Sequence, residues 1–251
     1  LFLAARLILG RAMQPIAEYQ QRQTDFISAA SHELRSPLTV IQTIASVIED
    51  DPGQAAAMSR IIRRECSRSG KLIRDLLLLA SSDSGTLSRK LEEVEADALL
   101  LRLFESYETV CRQKDISLKL HMPDDILPPV LSDPAYLYQL LSILLENAIT
   151  YGIPPSGEKP VIELSAHQSG RHITLSVTDH GPGIPDEKKE AVFRRFYRGD
   201  PSRSKKEHFG LGLSIASELA RQLKCRLTIL DTPGGGACFR IELTKTGTSS
   251  S

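Results

Sequence analysis

The most informative stretch of this sequence is Ser31-His32-Glu33-Leu34-Arg35-Ser36-Pro37-Leu38. Apolar residues recur around it at steps of three or four, which predicts a helix whose buried stripe is formed by Phe26, Ala30, Leu34, Leu38, Ile41, Ala45 and Ile48. His32 precedes Leu34 by two residues, so it points about 200° away from that stripe. An imidazole is largely neutral near pH 7 and can act as a nucleophile or base. Taken alone, an exposed histidine is most often a plain surface residue.

Composition limits the classes of function. The 251 residues suffice for one or two domains, and the 31 Lys and Arg balance the 31 Asp and Glu. This balance argues against a nucleic-acid binder, which needs a basic surface. The hydrophobic content of 41% is enough for a packed core. The four cysteines are widely spaced and form no C-x-x-C pair, which argues against a zinc site or a disulfide framework and favours a reducing compartment.

The first ten residues, LFLAARLILG, are apolar but are interrupted by Arg6. A spanning helix needs about 20 apolar residues, so this segment alone is too short. Because no initiator Met is present, we interpret the sequence as a fragment that starts at the cytoplasmic end of a membrane helix, with Arg6 and Arg11 on the inner side. The alternative is an amphipathic or frayed helix end.

Two long helical patterns follow each other in the first third of the chain. The first covers residues 14–49 and is expected to kink at Pro37, because proline lacks an amide hydrogen and clashes with the preceding turn. Asp50-Asp51-Pro52-Gly53 predicts a turn. The second has near-heptad spacing at Met58, Ile62, Glu65, Ser69, Leu72, Leu76 and Leu79. Two such helices cannot bury both faces alone, so we expect an all-α hairpin that forms a dimeric four-helix bundle, with residues 81–85 as a hinge or linker.

From about residue 91 the pattern changes to mixed helices and strands. Helices are predicted at 96–114, 134–151 and 211–222, and strands at 116–121, 130–131, 161–166, 172–178, 226–230 and 237–243. Asp133 is the predicted N-cap of the second helix, with Pro134 in its first turn. Helices and an antiparallel-rich sheet in separate layers make an α+β sandwich. Residues after Lys245 are expected to be disordered.

Four further segments have residue types that suit a ligand site. Glu146-Asn147-Ala148 ends an apolar helix, and an asparagine oxygen there can bind Mg²⁺. Asp179-His180-Gly181-Pro182-Gly183-Ile184-Pro185 follows a strand, so that a carboxylate able to accept from an exocyclic amine lies beside glycines that allow close backbone approach.

The other two segments lie further along the chain. Phe193-Arg194-Arg195-Phe196-Tyr197-Arg198 leads into a polar loop at 200–208, which is either a surface loop or a lid with cations for phosphates. Gly210-Leu211-Gly212-Leu213-Ser214 opens a helix, whose free N–H groups favour anions. Each of the four segments alone also fits an ordinary turn, helix end or loop.

In this order and at these spacings, the octapeptide and the four segments resemble the sensor histidine kinases of bacterial two-component systems, over residues 21–243. The octapeptide is similar to the phosphoacceptor motif of that family. The other four segments are similar to its GHKL-type ATP-binding domain, an α+β sandwich of Bergerat type that is shared with gyrase, Hsp90 and MutL.

The resemblance implies a division of the chain into four parts. They are a membrane-proximal signalling helix at 1–20, a dimerisation and histidine phosphotransfer domain at 21–85, a catalytic ATP-binding domain at 90–246 and a disordered tail at 247–251. It also implies that the chain is the cytoplasmic portion of a bacterial protein of the inner or plasma membrane.

The resemblance further implies roles for individual residues. His32 would be phosphorylated, Glu33 would be the orienting base, and Ser36, on the same helix face, would have a position tied to dephosphorylation of the partner regulator. Asn147 would hold Mg²⁺ and Asp179 would bind the adenine amine. The remaining nucleotide-binding positions would be Tyr151, Gly181, Gly183, Phe193, Phe196, Arg198, Arg203, Lys205, Gly210, Leu211, Gly212 and Leu213, with Tyr197 as a further lid anchor.

Three positions depart from the family pattern. Ile143 replaces a usual Asn, Thr150 replaces a usual Lys or Arg, and His208 replaces the first glycine of the last nucleotide motif. The loss of a polar group and a cation near the triphosphate would weaken the binding of Mg·ATP or slow the transfer, and lid lysines would compensate.

The implied function is autophosphorylation of His32 by ATP with Mg²⁺ in a homodimer, then phosphotransfer to an aspartate of a response regulator. Phosphatase activity toward that regulator is a second expected activity, and transfer within or between subunits stays open. The departures Ile143 and Thr150 raise the alternative of a degenerate nucleotide switch that acts as a phosphatase or scaffold. The histidine-bearing hairpin and the lack of transducer segments argue against a gyrase- or Hsp90-like ATPase.

Overall fold

The computed structural model describes residues 2–83, 89–197, 199 and 209–246, with the backbone alone for 2–19, 22 and 83. The chain divides into two compact units. The first extends to Ala80, and the second begins at Ser81.

The first unit is a helical hairpin. Its helices are α1, Phe2–Asp50, and α2, Ala55–Asp83, of which the residues from Ser81 onward belong to the second unit. A single 3₁₀ turn, Pro52–Gln54, joins them, and the Asp51 carboxylate accepts a hydrogen bond of 3.0 Å from the Gly53 amide. The predicted hairpin is therefore confirmed. The first helix begins earlier than predicted and continues through Pro37.

The buried stripe of α1 differs from the predicted one at two positions. Leu38 is 56% exposed and Ala45 is also exposed, whereas their neighbours Pro37 and Ile44 are buried. The stripe 34, 37, 41, 44 and 48 then alternates steps of three and four, which is the heptad spacing of paired helices. In α2, none of the seven positions with near-heptad spacing, from Met58 to Leu79, is exposed.

The second unit combines three longer helices with seven strands among the described residues. The helices are α3, Ala96–Gln113, α4, Pro134–Tyr151, and α5, Gly212–Leu223. The strands are β1, Glu92–Val94, β2, Ser117–His121, β3, Val130–Ser132, β4, Val161–Ser169, β5, His172–Asp179, β6, Arg226–Asp231, and β7, Ala237–Thr244. β1 was not predicted, because a three-residue strand with two glutamates shows no apolar alternation.

Five strands form one sheet in the order β2-β4-β5-β7-β6, and β1 pairs with β3 in a separate ribbon. β2 runs parallel to β4, and the other neighbours are antiparallel. Alternate side chains are buried along much of β4, β5 and β7, and α3, α4 and α5 contact this sheet. The buried strand residues include Ile162, Leu164, Ile173, Leu175, Val177, Phe239 and Ile241. The predicted α+β layers are confirmed.

Asp133 fixes the start of α4. Its Oδ1 accepts hydrogen bonds of 3.0 Å from the amides of Ala135 and Tyr136, as the predicted N-cap requires. Its Oδ2 accepts a bond of 2.8 Å from the Lys90 amide, which ties the segment before β1 to the same point. The start of the helix that carries Asn147 is therefore anchored by a buried carboxylate.

The predicted linker 81–85 is helical rather than turn-like over its first three residues. The Ser82 hydroxyl is buried and donates to Glu218 of α5. It also accepts from Arg221 Nη2 at 3.1 Å and from Gln222 Nε2 at 3.0 Å. These bonds satisfy the polar side chain within helical structure, which sequence composition alone does not reveal. The last two linker residues lie outside the described residues.

Candidate functional site

The buried carboxylate of Asp179 lies at the end of β5 and is only 5% exposed. Its Oδ1 accepts hydrogen bonds from the amides of Gly181, at 2.9 Å, and Ala237, at 3.2 Å. Burial raises the pKa of Asp179, and these two amides oppose that effect by stabilising the anion. Both bonds use one oxygen, so Oδ2 is the acceptor that a ligand amine can use.

Glycines surround Asp179 at distances that no side chain would allow. A Cβ at Gly152 would lie 2.6 Å from Asp179 Cβ, and one at Gly181 would lie 2.7 Å from Gly152 Cα. Gly236 packs equally tightly against the backbone of residues 179 and 180. Gly183, with φ +72°, has its Cβ position 3.1 Å from the Gly236 carbonyl oxygen. The result is a glycine cradle, in which backbone packs directly against backbone around one carboxylate.

Gly152 and Gly236 were not among the predicted site residues. Gly152 directly follows α4, where a glycine is expected only as a helix end, and Gly236 belongs to a Pro-Gly-Gly-Gly run that predicts a hairpin turn. Their proximity to Asp179 depends on the pairing of β5 with β7 and on the packing of α4, which are tertiary features.

The side of α4 that includes Asn147 is directed to the start of α5. Cγ2 of Ile143 lies 3.5 Å from the Cβ position of Gly212. Asn147 and Tyr151 follow at steps of four residues, so they share this face. Asn147 is half-buried and Tyr151 is 41% exposed. An amide oxygen and an aromatic ring therefore lie on the α4 face that is directed to the N-terminus of α5.

Two polar side chains of α4 close to Asn147, those of Thr150 and Glu146, form hydrogen bonds within α4 and to α3. The Thr150 hydroxyl donates to the Glu146 carbonyl oxygen at 2.7 Å. The Glu146 carboxylate accepts a bond of 3.0 Å from the Tyr107 hydroxyl on α3. Burial raises the pKa of Tyr107, and the Glu146 charge adds to that effect. Thr150 therefore brings no cation to the site face, and Glu146 is held toward α3.

At the base of the predicted lid, Gly210 packs closely against the backbone of residues 196 and 197. This residue has φ +71°, and a Cβ on it would lie 2.7 Å from the Tyr197 carbonyl oxygen. Phe196 itself has φ +60°, a conformation that costs a non-glycine residue about 1–2 kcal/mol. Phe193 and Phe196 are half-buried, Leu211 is buried, and Gly212 begins α5. Leu213, also predicted, is half-buried in the first turn of α5.

Several predicted lid residues, namely Arg198, Arg203, Lys205 and His208, lie outside the described residues, as do the whole loop 200–208 and the tail 247–251.

On the hairpin, His32 and Ser36 are exposed and Glu33 is half-buried. The four-residue step from His32 to Ser36 places both on one face of α1. The structure therefore leaves the imidazole and the hydroxyl accessible to a partner molecule.

The described residues contain no cluster of three His, Cys, Asp or Glu side chains suited to a metal ion. The donor that fits Mg²⁺ is the neutral amide oxygen of Asn147, since Mg²⁺ commonly takes one or two protein oxygens and completes its shell with phosphates and water. Over the same residues, no helix is long and apolar enough to span a bilayer.

Two family models match the chain. Residues 22–85 match the family described as His Kinase A (phospho-acceptor) domain, and residues 132–247 match the family described as Histidine kinase-, DNA gyrase B-, and HSP90-like ATPase. The chain belongs to the sensor histidine kinases.

Curated proteins that are similar to this sensor histidine kinase chain are named as sensor histidine kinases or sensor proteins. It is 34% identical over 235 residues to sensor histidine kinase YkoH of Bacillus subtilis, covering 92% of the chain and 49% of YkoH. It is 32% identical over 252 residues to sensor protein CiaH of Streptococcus pneumoniae, covering 97% of the chain and 54% of CiaH. The chain spans about half the length of these relatives.

Solved histidine kinases share the fold at 22% identity. Acinetobacter baumannii AdeS has a TM-score of 0.69, covering 86% of this chain and 98% of AdeS. ThkA in complex with the response regulator protein TrrA also has a TM-score of 0.69, with coverage of 96% and 67%. Full-length ShkA in complex with AMPPNP has a TM-score of 0.65, with coverage of 90% and 47%.

Proposed function

We propose that this chain uses ATP to phosphorylate its own His32 and then passes the phosphoryl group to an aspartate of a partner response regulator. The observation that carries the proposal is the buried Asp179 carboxylate, oriented by two backbone amides within a glycine cradle, in a chain whose hairpin exposes His32. The cradle suits an adenine, and the exposed imidazole is a nucleophile that can accept a phosphoryl group.

In the transfer step, a ring nitrogen of His32 attacks the γ-phosphorus of ATP. A nitrogen–phosphorus bond forms, the bond from the γ-phosphorus to the β,γ-bridging oxygen breaks, and ADP leaves. Glu33 accepts a hydrogen bond from the other ring nitrogen and stabilises the positive charge that develops on the ring. In the second step, a carboxylate oxygen of the regulator's aspartate attacks the phosphorus and releases neutral His32.

The nucleotide would lie between α4, the loop after β5 and the start of α5. Asp179 Oδ2 would accept a hydrogen bond from the adenine amine, and Gly181 and Gly183 would allow the base to approach the backbone. Gly210, Leu211, Gly212 and Leu213 would present amides to the phosphates at the N-terminus of α5. Tyr151, Phe193 and Phe196 would line the site, and the predicted cations Arg198, Arg203 and Lys205 would contact the phosphates.

Asn147 would hold Mg²⁺, which neutralises the triphosphate charge during transfer. The half-buried position of Asn147 on the face directed to α5 supports this assignment.

The partners and surroundings follow from the same proposal. A second copy would complete a four-helix bundle with α1 and α2, as the heptad spacing of both helices supports. The complex of ThkA with its response regulator supports a similar partner here, and the AMPPNP complex of ShkA supports an adenine nucleotide. We also propose the division at 1–20, 21–85, 90–246 and 247–251, and a membrane anchor that places this chain on the cytoplasmic side in a bacterium.

A degenerate switch is the second candidate, and Ile143 and Thr150 are the observations that favour it. The first places an aliphatic side chain beside the start of α5, and the second uses its hydroxyl within α4. Such a protein would bind nucleotide without rapid transfer and would act mainly as a scaffold or as a regulator phosphatase through Ser36.

The test is incubation of the purified chain with γ-labelled ATP and Mg²⁺, beside His32→Gln. We expect acid-labile, base-stable label on the unsubstituted chain alone. Nucleotide binding without label would instead favour the switch. Steady ATP hydrolysis that His32→Gln leaves unchanged would indicate an ATPase and contradict the proposal.

A further inference from the structure

A single carboxylate in the second unit contacts two imidazoles. Glu163 Oε2 lies 2.9 Å from Nε2 of His121, and Glu163 Oε1 lies 3.0 Å from Nε2 of His180. The three residues come from β2, from β4 and from the loop after β5. His180 stands between Asp179 and Gly181, so this cluster reaches the backbone of the candidate adenine site.

Strand register explains why the three side chains meet. Glu163 lies directly opposite Thr178 of β5, two residues before His180. On its other side Glu163 lies opposite Lys119 of β2, two residues before His121. Because side chains two apart share a face of a sheet, the cluster lies on the face opposite to that of the buried Asp179. It therefore does not compete for the space that a nucleotide would use.

The loop that carries His180 is held from two directions. A Cβ at Gly236 would lie 2.7 Å from His180 Cα, so the β6–β7 turn packs directly against this backbone. The only described side-chain hydrogen bond of His180 is the one to Glu163. Gly183, three residues on, has φ +72° and its Cβ position lies 3.1 Å from the Gly236 carbonyl oxygen, so the same turn also contacts this part of the loop.

The charges around the cluster strengthen the contact between Glu163 and His180. The hydrogen bond from His180 lowers the pKa of Glu163, against the effect of burial, and the charges of His121 and Lys119 also lower it. Burial raises the pKa of Asp179, and the His180 charge opposes that effect. A protonated His180 therefore makes a charge-assisted bond to Glu163, and it also favours the anionic form of Asp179.

We propose that Glu163 and His180 are positioning residues that hold the adenine-binding loop, and that protonation of His121 and His180 tightens this hold. The proposal rests on the proposed nucleotide site. It makes nucleotide affinity depend on pH through a cluster that does not touch the nucleotide. Hydrogen bonds to charged groups contribute about twice as much as neutral ones, so the effect of removing the carboxylate grows as the histidines take up protons.

The test is calorimetric titration of the 251-residue chain with ADP and Mg²⁺ between pH 6 and pH 8, for the unsubstituted chain and for Glu163→Gln. The readout is the ratio of the two Kd values at each pH, which cancels the titration of ADP itself. We expect Glu163→Gln to weaken binding about threefold at pH 8 and about tenfold at pH 6. The KM for ATP should rise similarly while the autophosphorylation rate at saturating ATP is unchanged.

Two variants complete the design. His172→Gln alters an exposed histidine at the far end of β5 and should leave the Kd unchanged at every pH. His180→Gln keeps a side-chain donor for Glu163, so it should retain most of the affinity at pH 8 and lose the gain at pH 6. A Glu163→Gln ratio that is constant with pH, or equal to that of His172→Gln, overturns the inference alone. Absence of ADP binding by the unsubstituted chain overturns the proposed function as well.

Discussion

The backbone amide of Ala237 donates a hydrogen bond of 3.2 Å to Asp179 Oδ1, and so links the first residue of β7 to the last residue of β5. With the 2.9 Å bond from Gly181, it fixes the carboxylate while Oδ2 stays available to a ligand. This geometry suits recognition of an exocyclic amine, because the backbone amides hold Oδ1 and leave the second carboxylate oxygen, Oδ2, to accept a hydrogen bond from the amine.

Asp179→Asn should weaken the binding of ADP about 10- to 100-fold, with the fold retained. The amide oxygen can still accept from both backbone amides, but the amide nitrogen replaces Oδ2 and donates where the adenine amine also donates. Calorimetric titration measures the change. Asp115→Asn is the matched control, because that carboxylate is 84% exposed and pairs with Lys159. Equal affinity of Asp179→Asn and the control would contradict adenine recognition by Asp179.

The same substitution should stabilise the second unit at neutral pH. Burial raises the pKa of Asp179, so the folded chain holds this proton up to a higher pH than the unfolded chain, and the free energy of unfolding falls as pH rises through that interval. The interval begins near the ordinary value of 3.8 and ends at the raised pKa. Asp179→Asn removes the titrating carboxyl group and with it this decrease in the free energy of unfolding.

Urea unfolding at a series of pH values measures that effect. The difference in unfolding free energy between Asp179→Asn and the unsubstituted chain should be near zero below the ordinary pKa and should grow to a plateau at neutral pH. A difference that stays constant across this range would show that the Asp179 charge does not limit stability.

Gly236→Ala should destabilise the second unit by about 3 kcal/mol or more. Its Cβ would overlap the backbone of Asp179 and His180, and φ is +114°. Gly234→Ala is the control, because it has φ +86° but no atom within 4 Å of its Cβ position, and it should cost only about 1–2 kcal/mol. Urea unfolding compares the two. Equal losses would mean that the close approach of the β6–β7 turn to Asp179 does not exist in solution.

Ile143→Asn should raise the initial rate of autophosphorylation, by about three- to tenfold. The substitution puts an amide beside the start of α5, four residues before Asn147, where an oxygen or N–H can serve Mg²⁺ or a phosphate. Incorporation of label from γ-labelled ATP measures the rate. Ile153→Asn, at a half-exposed position beyond the end of α4, should change nothing. A slower Ile143→Asn chain would indicate that the isoleucine contributes packing that the site requires.

Local chemistry made much of the fold predictable. Asp133 and Pro134 predicted the start of α4, and the cap has the expected bonds. Strand alternation predicted β4 and β5, since one face of the sheet is buried. The prediction that Leu38 is buried was wrong, and its neighbour Pro37 is buried instead. Adjacent apolar residues on a helix point about 100° apart, and only the surface that packs against the helix decides which of them is buried.

A site residue could be predicted where its residue type indicates a ligand contact. It could not be predicted where only tertiary packing brings the residue to the site. Asp179 and Asn147 stand out as polar residues at the ends of apolar elements. Gly152 and Gly236 contribute only their lack of a side chain, and their closeness to Asp179 requires the pairing of β5 with β7. The contact between Glu163 and His180 likewise depends on strand register, which separate sequence segments do not specify.

The central claim is that the phosphoryl group of ATP is transferred to His32. The most direct measurement is mass spectrometry of the chain after incubation with Mg·ATP, digested at neutral or alkaline pH so that a phosphohistidine survives. We predict a phosphoryl group on the peptide that contains His32, with fragment ions that place it on this residue. A phosphoryl group on another residue, or unmodified His32 in a chain that has consumed ATP, would contradict the account.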